Sequence, residues 1–179
     1  AAGTLLAGGP RDLLVAIATV QEPSRLDGPA AERAPSGAIL LYRNRGGGTF
    51  DPPVRFAAGQ GPTALAAADL DADGLDDAAV ADGPGRSLLL FSPDPAGLAP
   101  RGTVALDFAP RALVAADLDA DGDVDIAVVG TDGSGGRGAV IRNAGGTMSA
   151  EASFAAGIGP VGVAAPDLDG DGRRELAVA

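Results

Sequence analysis

Three aspartate-rich segments hold the residues whose types and spacing point most directly to chemistry. The segment "AADLDADGLDD" (67–77) carries five aspartates, and similar segments return as "AADLDADGDVD" (115–125) and "APDLDGDGRRE" (165–175). Two carboxylates roughly 5 Å apart repel each other by about 3 kcal/mol at an effective dielectric constant of about 20. Several carboxylates in one loop therefore need a positive charge among them. Because the arrangement occurs three times, we interpret it as a cation-binding feature rather than an accident of composition.

Each segment follows the pattern D-x-D-x-D-G-x-x-[DE], in which oxygen atoms can surround one ion. Side chains at positions 1, 3 and 5 converge when the chain winds tightly, and glycine at position 6 permits the sharp turn. Position 7 can offer its backbone carbonyl, and position 9 supplies a last carboxylate. Hard oxygen ligands in a flexible geometry select calcium over zinc, whereas magnesium prefers to keep several waters. The pattern therefore predicts one calcium ion in each loop.

The candidate calcium ligands are Asp69, Asp71, Asp73, Leu75 and Asp77 in the first loop; Asp117, Asp119, Asp121, Asp123 and Asp125 in the second; and Asp167, Asp169, Asp171, Arg173 and Glu175 in the third. Leu75, Asp123 and Arg173 would bind through their backbone carbonyls. The side chains of Asp76 and Asp123 lie between ligand positions, and we expect them to be solvated.

Two other interpretations of the loops fit the sequence less well. An EF-hand needs a glutamate at position 12, where these segments have Val80, Val128 and Val178 and a strand has already begun. The second alternative is an acidic, solvated turn, since aspartate and glycine are ordinary turn residues. It accounts less well for three copies that share the same ligand positions, glycine and flanking strands.

Charge and composition exclude several classes of function. The chain has 179 residues and a formal net charge of −11, and fourteen of its twenty-four acidic residues lie in the three loops. The acidity is therefore local, and nothing resembles the clustered basic face of a nucleic-acid binder. Cysteine and histidine are absent, which removes thiolate and imidazole ligands and the commonest general base. No apolar run approaches the roughly 20 residues of a membrane span.

The acidic loops belong to an internal repeat of about 50 residues. Asp69, Asp117 and Asp167 are 48 and 50 residues apart, and "FAAGQGP" (56–62) returns as "FAAGIGP" (154–160). Short apolar runs separated by Gly, Pro and Asp indicate strands and turns, and a period near 50 with about four strands is typical of a propeller blade. We therefore predict an all-β chain of four-stranded antiparallel β-propeller blades that belong to a larger propeller. The units are 1–50, a degenerate first blade with a long loop at 21–36; 51–100; 101–149; and 150–179, a partial blade.

The repeat resembles the FG-GAP (VCBS-type) family, which forms the calcium-loop blades of integrin-alpha-like β-propellers. The segments "FAAGQGPTALAAADLDADGLDDAAVA" and "AILLYRNRGGGTF" are similar to the phenylalanine, glycine-proline, loop and Gly-Thr-Phe segments of that family. The resemblance implies a seven-bladed propeller and three calcium sites built from the acidic ligands above. The first copy departs from the pattern, because its ligand positions fall on Thr4, Leu6 and Gly8.

Three classes of function fit these observations. The first is a calcium-stabilised binding or adhesion module that recognises an extracellular protein or a glycan, with neighbouring blades as further partners. The second is the propeller scaffold of an extracellular enzyme such as a polysaccharide lyase or a quinone-dependent dehydrogenase, and the third is a structural spacer. We favour the binding module without catalytic residues, located outside the cell or on its surface, because calcium sites in extracellular modules bind at about 10⁻⁴–10⁻³ M.

One further segment matches a known binding pattern but lacks the structural context that this pattern requires. "GSGGRG" (133–138) matches the dinucleotide-binding pattern G-x-G-x-x-G, which requires a following helix. Because "AVIRN" follows and has the composition of a strand, we predict a hairpin turn here. Asp82 and Asp132, which come directly after strands, are interpreted as turn residues rather than a catalytic pair.

Overall fold

The computed structural model of the chain describes residues 2–3, 12–18 and 37–179. Within these ranges the chain forms strands and turns and no helix, which confirms the predicted all-β class. It follows that no membrane-spanning helix occurs in the part of the chain that the structure describes. The predicted long loop at 21–36 and the altered loop positions Thr4, Leu6 and Gly8 lie outside the described residues.

The described residues contain sixteen strands: β1 (Ala2–Gly3), β2 (Asp12–Ala18), β3 (Gly37–Tyr42), β4 (Asn44–Gly46), β5 (Thr49–Phe50), β6 (Val54–Ala57), β7 (Pro62–Ala68), β8 (Asp77–Asp82), β9 (Ser87–Asp94), β10 (Gly97–Ala105), β11 (Ala109–Ala116), β12 (Asp125–Thr131), β13 (Gly136–Ala144), β14 (Thr147–Ala155), β15 (Val163–Ala164) and β16 (Ala177–Val178).

The strands form three antiparallel sheets of four strands each, as predicted for propeller blades. The first sheet has the order β1-β2-β3-β6, the second β7-β8-β9-β10 and the third β11-β12-β13-β14, while β15 pairs with β16 and β4 with β5. The second and third sheets begin at Pro62 and Ala109, whereas the corresponding sequence units begin at 51 and 101. The difference arises because the segment around Phe56 closes the first sheet before Pro62 opens the second. The first strand β11 contacts both β7 of the preceding sheet and β15 of the following pair, so consecutive sheets converge at that edge.

Both faces of the middle sheet are covered, which explains its continuous apolar strands. Strand β8 is buried along its whole length. Ala78 and Val80 pack with side chains of the first sheet, whereas Ala79 packs with Ile126 and Ile141 of the third. Successive side chains of a strand point to opposite faces, so the middle of a strand between two sheets is apolar on both faces, here over 78–81 between the aspartates at its two ends. Alanine at these positions keeps the side chains small where the sheets meet.

The repeated "FAAGxGP" segment leads out of the last strand of the first sheet and of the third. Gly136 donates its N–H to the carbonyl of Gly157 over 2.8 Å and accepts the N–H of Ala156 over 2.9 Å. A Cβ atom on Gly136 would lie 2.5 Å from the Gly157 carbonyl oxygen and 2.7 Å from Cδ of Pro160. Gly37 of the first sheet has the same close contacts with its own Gly-Pro segment. The repeat therefore reflects a close backbone approach that only glycine permits.

Candidate metal centres

Each acidic loop connects the first two strands of a sheet. Loop 1 (69–77) runs from β7 into β8, loop 2 (117–125) from β11 into β12, and loop 3 (167–175) lies between β15 and β16. Antiparallel pairing of the two flanking strands fixes the ends of loops 1 and 2, because Ala68 pairs with Asp77 and Ala116 pairs with Asp125. The last acid of loops 1 and 2 is thus the first residue of a buried strand. As a result Asp77 and Asp125 are buried, with 1% and 0% of their surface exposed.

The first aspartate of each loop organises the turn around itself. One carboxylate oxygen accepts the N–H of the glycine at position 6: Asp69 from Gly74 over 2.9 Å, Asp117 from Gly122 over 3.1 Å, and Asp167 from Gly172 over 3.0 Å. These glycines have φ angles of 88°, 97° and 89°. A left-handed conformation carries little cost for glycine, which is the physical reason for its place at position 6.

The last acid of each loop closes the turn from the other end. It accepts the N–H of the leucine at position 2: Asp77 from Leu70 over 3.2 Å, Asp125 from Leu118 over 3.1 Å, and Glu175 from Leu168 over 2.6 Å. The middle carboxylate at position 5 accepts the N–H of position 7, as Asp73 does from Leu75 over 2.8 Å. The same contacts join Asp121 to Asp123 and Asp171 to Arg173.

Each loop brings three carboxylates together. In each group, one oxygen per residue lies within 4.8 Å of the other two, and the groups are Asp69, Asp71 and Asp73; Asp117, Asp119 and Asp125; and Asp167, Asp169 and Glu175. Of the predicted acidic ligands, Asp77, Asp121 and Asp171 are not part of these groups. Carboxylate oxygens at such separations suit a hard cation with flexible coordination, so the residues fit calcium.

Comparison with known proteins agrees with this geometry. A family model described as the FG-GAP-like repeat matches residues 24–80 and 117–178, which together exceed half of the chain. The chain belongs to the FG-GAP-like repeat family. The curated proteins contain no match to it. FG-GAP-like repeat domains are generally non-catalytic scaffolds. The antiparallel sheets described above agree with the β-propeller blades of this family.

In this FG-GAP-like chain, arginine side chains approach the carboxylates of loops 1 and 2. Arg101 Nη1 lies 2.6 Å from Asp77 and 3.5 Å from Asp71. Arg142 forms an ion pair with Asp119, and its Nη1 lies 4.0 Å from Asp125. Neither arginine was predicted from the sequence, because both come from strands that lie far from the loops along the chain. Only their burial against the loop, at 20% and 30% side-chain exposure, distinguishes them from surface cations.

The two arginines reach equivalent loops from non-equivalent positions. Arg101 stands at a bulge of β10, and the corresponding bulge residue of β14 is Glu151. Arg142 lies in β13 opposite Ser149, where β9 has Ser92 opposite Ala99. The guanidinium beside the acidic loop therefore comes from the bulge of the last strand in the second sheet, but from the third strand in the third sheet. Glu151 then pairs with Arg142 over 3.1 Å, and Ser92 hydrogen-bonds to Asp77.

Burial acts on the last acid of loops 1 and 2. Burial raises the pKa of Asp77 above its ordinary value, against the opposing hydrogen bond from Ser92. Burial also raises the pKa of Asp125, against hydrogen bonds from the N–H groups of Asn143 and Leu118. In both cases a neighbouring loop carboxylate acts in the same direction as burial. A bound cation would reverse this balance by favouring the ionised form.

Three other predicted residues have defined positions. Asp123 is not simply solvated as expected, because its carboxylate accepts the N–H of Gly145 over 2.7 Å. Residues 132–135 form the predicted hairpin turn, since β13 and not a helix follows "GSGGRG". Asp132 accepts hydrogen bonds from Ser134 and Gly135, and the Ser134 bonds lower its pKa. Asp82 ends β8 and accepts the N–H groups of residues 60 and 61, each over 2.9 Å.

Proposed function

We propose that the chain is a calcium-stabilised β-propeller module of a secreted or cell-surface protein, which binds an extracellular protein or glycan. The observation that supports it best is the recurrence of three carboxylates within 4.8 Å of one another in three loops of the same design. We propose the predicted residues as ligands, including the carbonyls of Leu75, Asp123 and Arg173, although Asp77, Asp121 and Asp171 lie outside the three groups. The ion would fix the turn between the first two strands of each blade by cancelling the repulsion among the carboxylates.

Calcium concentration supports an extracellular location in this proposal. Extracellular calcium modules bind at about 10⁻⁴–10⁻³ M, so sites of this class fill outside a cell and stay largely empty in cytosol. In loops 1 and 2, ion pairs with arginine also neutralise part of the carboxylate charge. This partial neutralisation favours weak rather than tight calcium binding. The role that follows for calcium is structural, with ligand recognition left to the loops and edges of the propeller.

A larger propeller is part of the proposal. Ile158, Val161 and Leu168 are 99%, 69% and 72% exposed beside the pair β15–β16, which is the beginning of a fourth blade. Further blades, seven in all by the family resemblance, would cover this apolar surface. The enzyme scaffold and the structural spacer remain the competing functions. No binding of proteins or glycans with calcium present would favour the spacer, and turnover of a bound glycan would favour the enzyme.

Calorimetric titration of the calcium-free chain tests the metal assignment. We expect three ions to bind, and each raises the free energy of unfolding by about 2.7 kcal/mol when free calcium exceeds the dissociation constant about 100-fold. The double variant D69N/D71N removes two clustered carboxylates of loop 1 and should lose one ion. The variant D76N is the matched control, because Asp76 lies in the same loop but outside the cluster. Unchanged heat and unchanged Tm at millimolar calcium would contradict the proposal.

A further inference from the structure

A buried asparagine joins loop 1 to loop 2 across the boundary between two blades. The side-chain Nδ2 of Asn143 donates to the carbonyl of Leu70 over 2.9 Å and to the carbonyl of Val124 over 3.1 Å. Leu70 is position 2 of loop 1, and Val124 is position 8 of loop 2. Asn143 is 1% exposed, so both carbonyls depend on this amide rather than on water.

The orientation of Asn143 is set by loop 2 and by its own hairpin. Its backbone N–H donates to Asp125 over 2.8 Å, and its Oδ1 accepts the N–H of Gly146 over 2.9 Å. Asp125 is one of the clustered carboxylates of loop 2. A change in the position of Asp125 therefore moves the group that holds Leu70, which lies between the clustered ligands Asp69 and Asp71.

Arg101 provides a second link between the same two loops. Its Nη1 contacts Asp77 and Asp71 of loop 1, and its Nη2 donates to the carbonyl of Gly146 over 2.7 Å. Gly146 belongs to the hairpin that Asn143 caps. This hairpin also contacts loop 2 directly, because Gly145 donates its N–H to Asp123 over 2.7 Å. The junction thus has two hydrogen-bonded links to loop 1, one through Asn143 and one through Arg101, and both meet at Gly146 of the hairpin.

The other blades support a role beyond capping the hairpin. Asn44 occupies the position of Asn143 in the first sheet, where its Oδ1 likewise accepts the N–H of Gly46 over 2.8 Å. In the second sheet the same position is Pro93, which has no amide side chain. The loop of the preceding blade is the copy with Thr4, Leu6 and Gly8 at its ligand positions. Asn143 therefore stands behind an acidic loop, whereas Pro93 stands behind a loop without acidic ligands.

From these contacts we propose that loops 1 and 2 form one coupled binding unit, with Asn143 and Arg101 as positioning residues that transmit occupancy between them. The proposal rests on the proposed calcium binding. An ion in loop 2 holds Asp125 and so fixes Asn143, which presents the Leu70 carbonyl and orients the ligands beside it. Coupling of this kind is reciprocal, so an ion in loop 1 must raise the affinity of loop 2 by the same factor.

Site-resolved calcium titration of the full chain tests this coupling. The amide signals of Gly74, Gly122 and Gly172 report loops 1, 2 and 3 separately, because each N–H bonds to the first aspartate of its loop. At an ionic strength of about 0.15 M, charges further apart than about 8 Å are largely screened. We expect D117N/D119N, which disables loop 2, to raise the midpoint at Gly74 about fivefold or more. D167N/D169N makes the same charge change in loop 3 and should leave that midpoint unchanged.

The roles of Asn143 and Arg101 are then tested by how far they alter the change that D117N/D119N causes in the Gly74 calcium midpoint. N143S and R101Q should each reduce the effect of D117N/D119N on loop 1, whereas N44S, the same change in the first sheet, should preserve it. If N143S does not fold, R101Q decides the question. If loops 1 and 2 bind calcium but the midpoint of each is unaffected by loss of the other, the coupling is wrong while the proposed calcium binding stands. Glycine signals that do not move up to about 10 mM calcium, tenfold above the weakest expected dissociation constant, would overturn calcium binding as well.

Discussion

The guanidinium of Arg101 lies 2.6 Å from the carboxylate of Asp77, a side chain that is 1% exposed and begins a buried strand. In the next blade Arg142 approaches the equivalent two carboxylates from a different strand, but its closer partner is Asp119, the counterpart of Asp71, and Asp125 lies 4.0 Å away. Two blades thus reach the same local arrangement, a cation of the protein beside the acidic loop, by different substitutions. The arrangement offsets part of the carboxylate repulsion before any ion binds. It has consequences for stability that can be measured separately for each loop.

Replacing Arg101 should make the stability of the chain more dependent on calcium. R101Q leaves the buried carboxylate of Asp77 without its cation, so we expect a loss of about 2–3 kcal/mol in calcium-free buffer. Saturating calcium should recover most of that loss by supplying the missing positive charge. Urea unfolding with and without calcium measures both values. R137Q is the control, because its partner Asp107 is 66% exposed and such pairs contribute about 0–1 kcal/mol. Equal losses with and without calcium would show that Arg101 does not compensate the ion site.

The pH dependence of stability should change sign with calcium. The pKa values of Asp77 and Asp125 are raised in the folded state, so the folded chain binds protons more readily than the unfolded chain above the ordinary value of 3.8. Their contribution is therefore favourable below that value and is lost as pH rises through the raised pKa values. Calcium binds the ionised forms, so its stabilising effect should grow across the same window. Unfolding of the parent and of D77N/D125N between about pH 4 and about pH 7 isolates this contribution. If the difference between parent and variant is independent of pH, the assignment is wrong.

Loops 1 and 2 contain a correctable backbone strain. Ala72 and Ala120, at position 4, have φ angles of 59° and 63°, where loop 3 has Gly170 at 78°. A left-handed conformation costs a residue with a Cβ about 1–2 kcal/mol, and glycine avoids this at some cost in chain entropy. We expect A72G and A120G each to stabilise the folded chain by about 0.5–1 kcal/mol, and G170A to destabilise it. Thermal unfolding of the three variants checks the prediction, and stabilisation by G170A would refute it.

Adjacent glycines at the start of β13 should respond very differently to alanine. A Cβ on Gly136 would overlap the Gly157 carbonyl and Pro160, whereas a Cβ on Gly135 would meet no atom within 4 Å. We expect G136A to lower the free energy of unfolding by about 1–3 kcal/mol through overpacking. G135A is a control with the same chemical change and should have an effect below about 0.5 kcal/mol. Chemical denaturation of both variants measures the difference, and equal stabilities would exclude the close approach between Gly136 and the Gly-Pro segment after β14.

Several features of the fold were predictable from the sequence because they depend on local chemistry. Loop glycines, the first aspartates and the apolar runs after them all have short-range causes: turn geometry, side-chain capping and burial of every strand position. The 48- and 50-residue spacings then implied repeated blades, since equal local units must pack in equal ways. The exact blade boundaries were less accessible, because the segment around Phe56 pairs with the preceding sheet through a ladder that sequence order does not reveal.

The sequence by itself determined the all-β repeat, the three acidic loops and the oxygen chemistry that they offer. Only the tertiary structure decided which carboxylates meet, for Asp77 turns to Arg101 while Asp125 joins Asp117 and Asp119. It also decided that Asn143 reaches Leu70, 73 residues earlier in the chain. The reason is physical: a loop motif specifies contacts within nine residues, whereas the partners of a buried carboxylate or amide are set by how neighbouring blades pack.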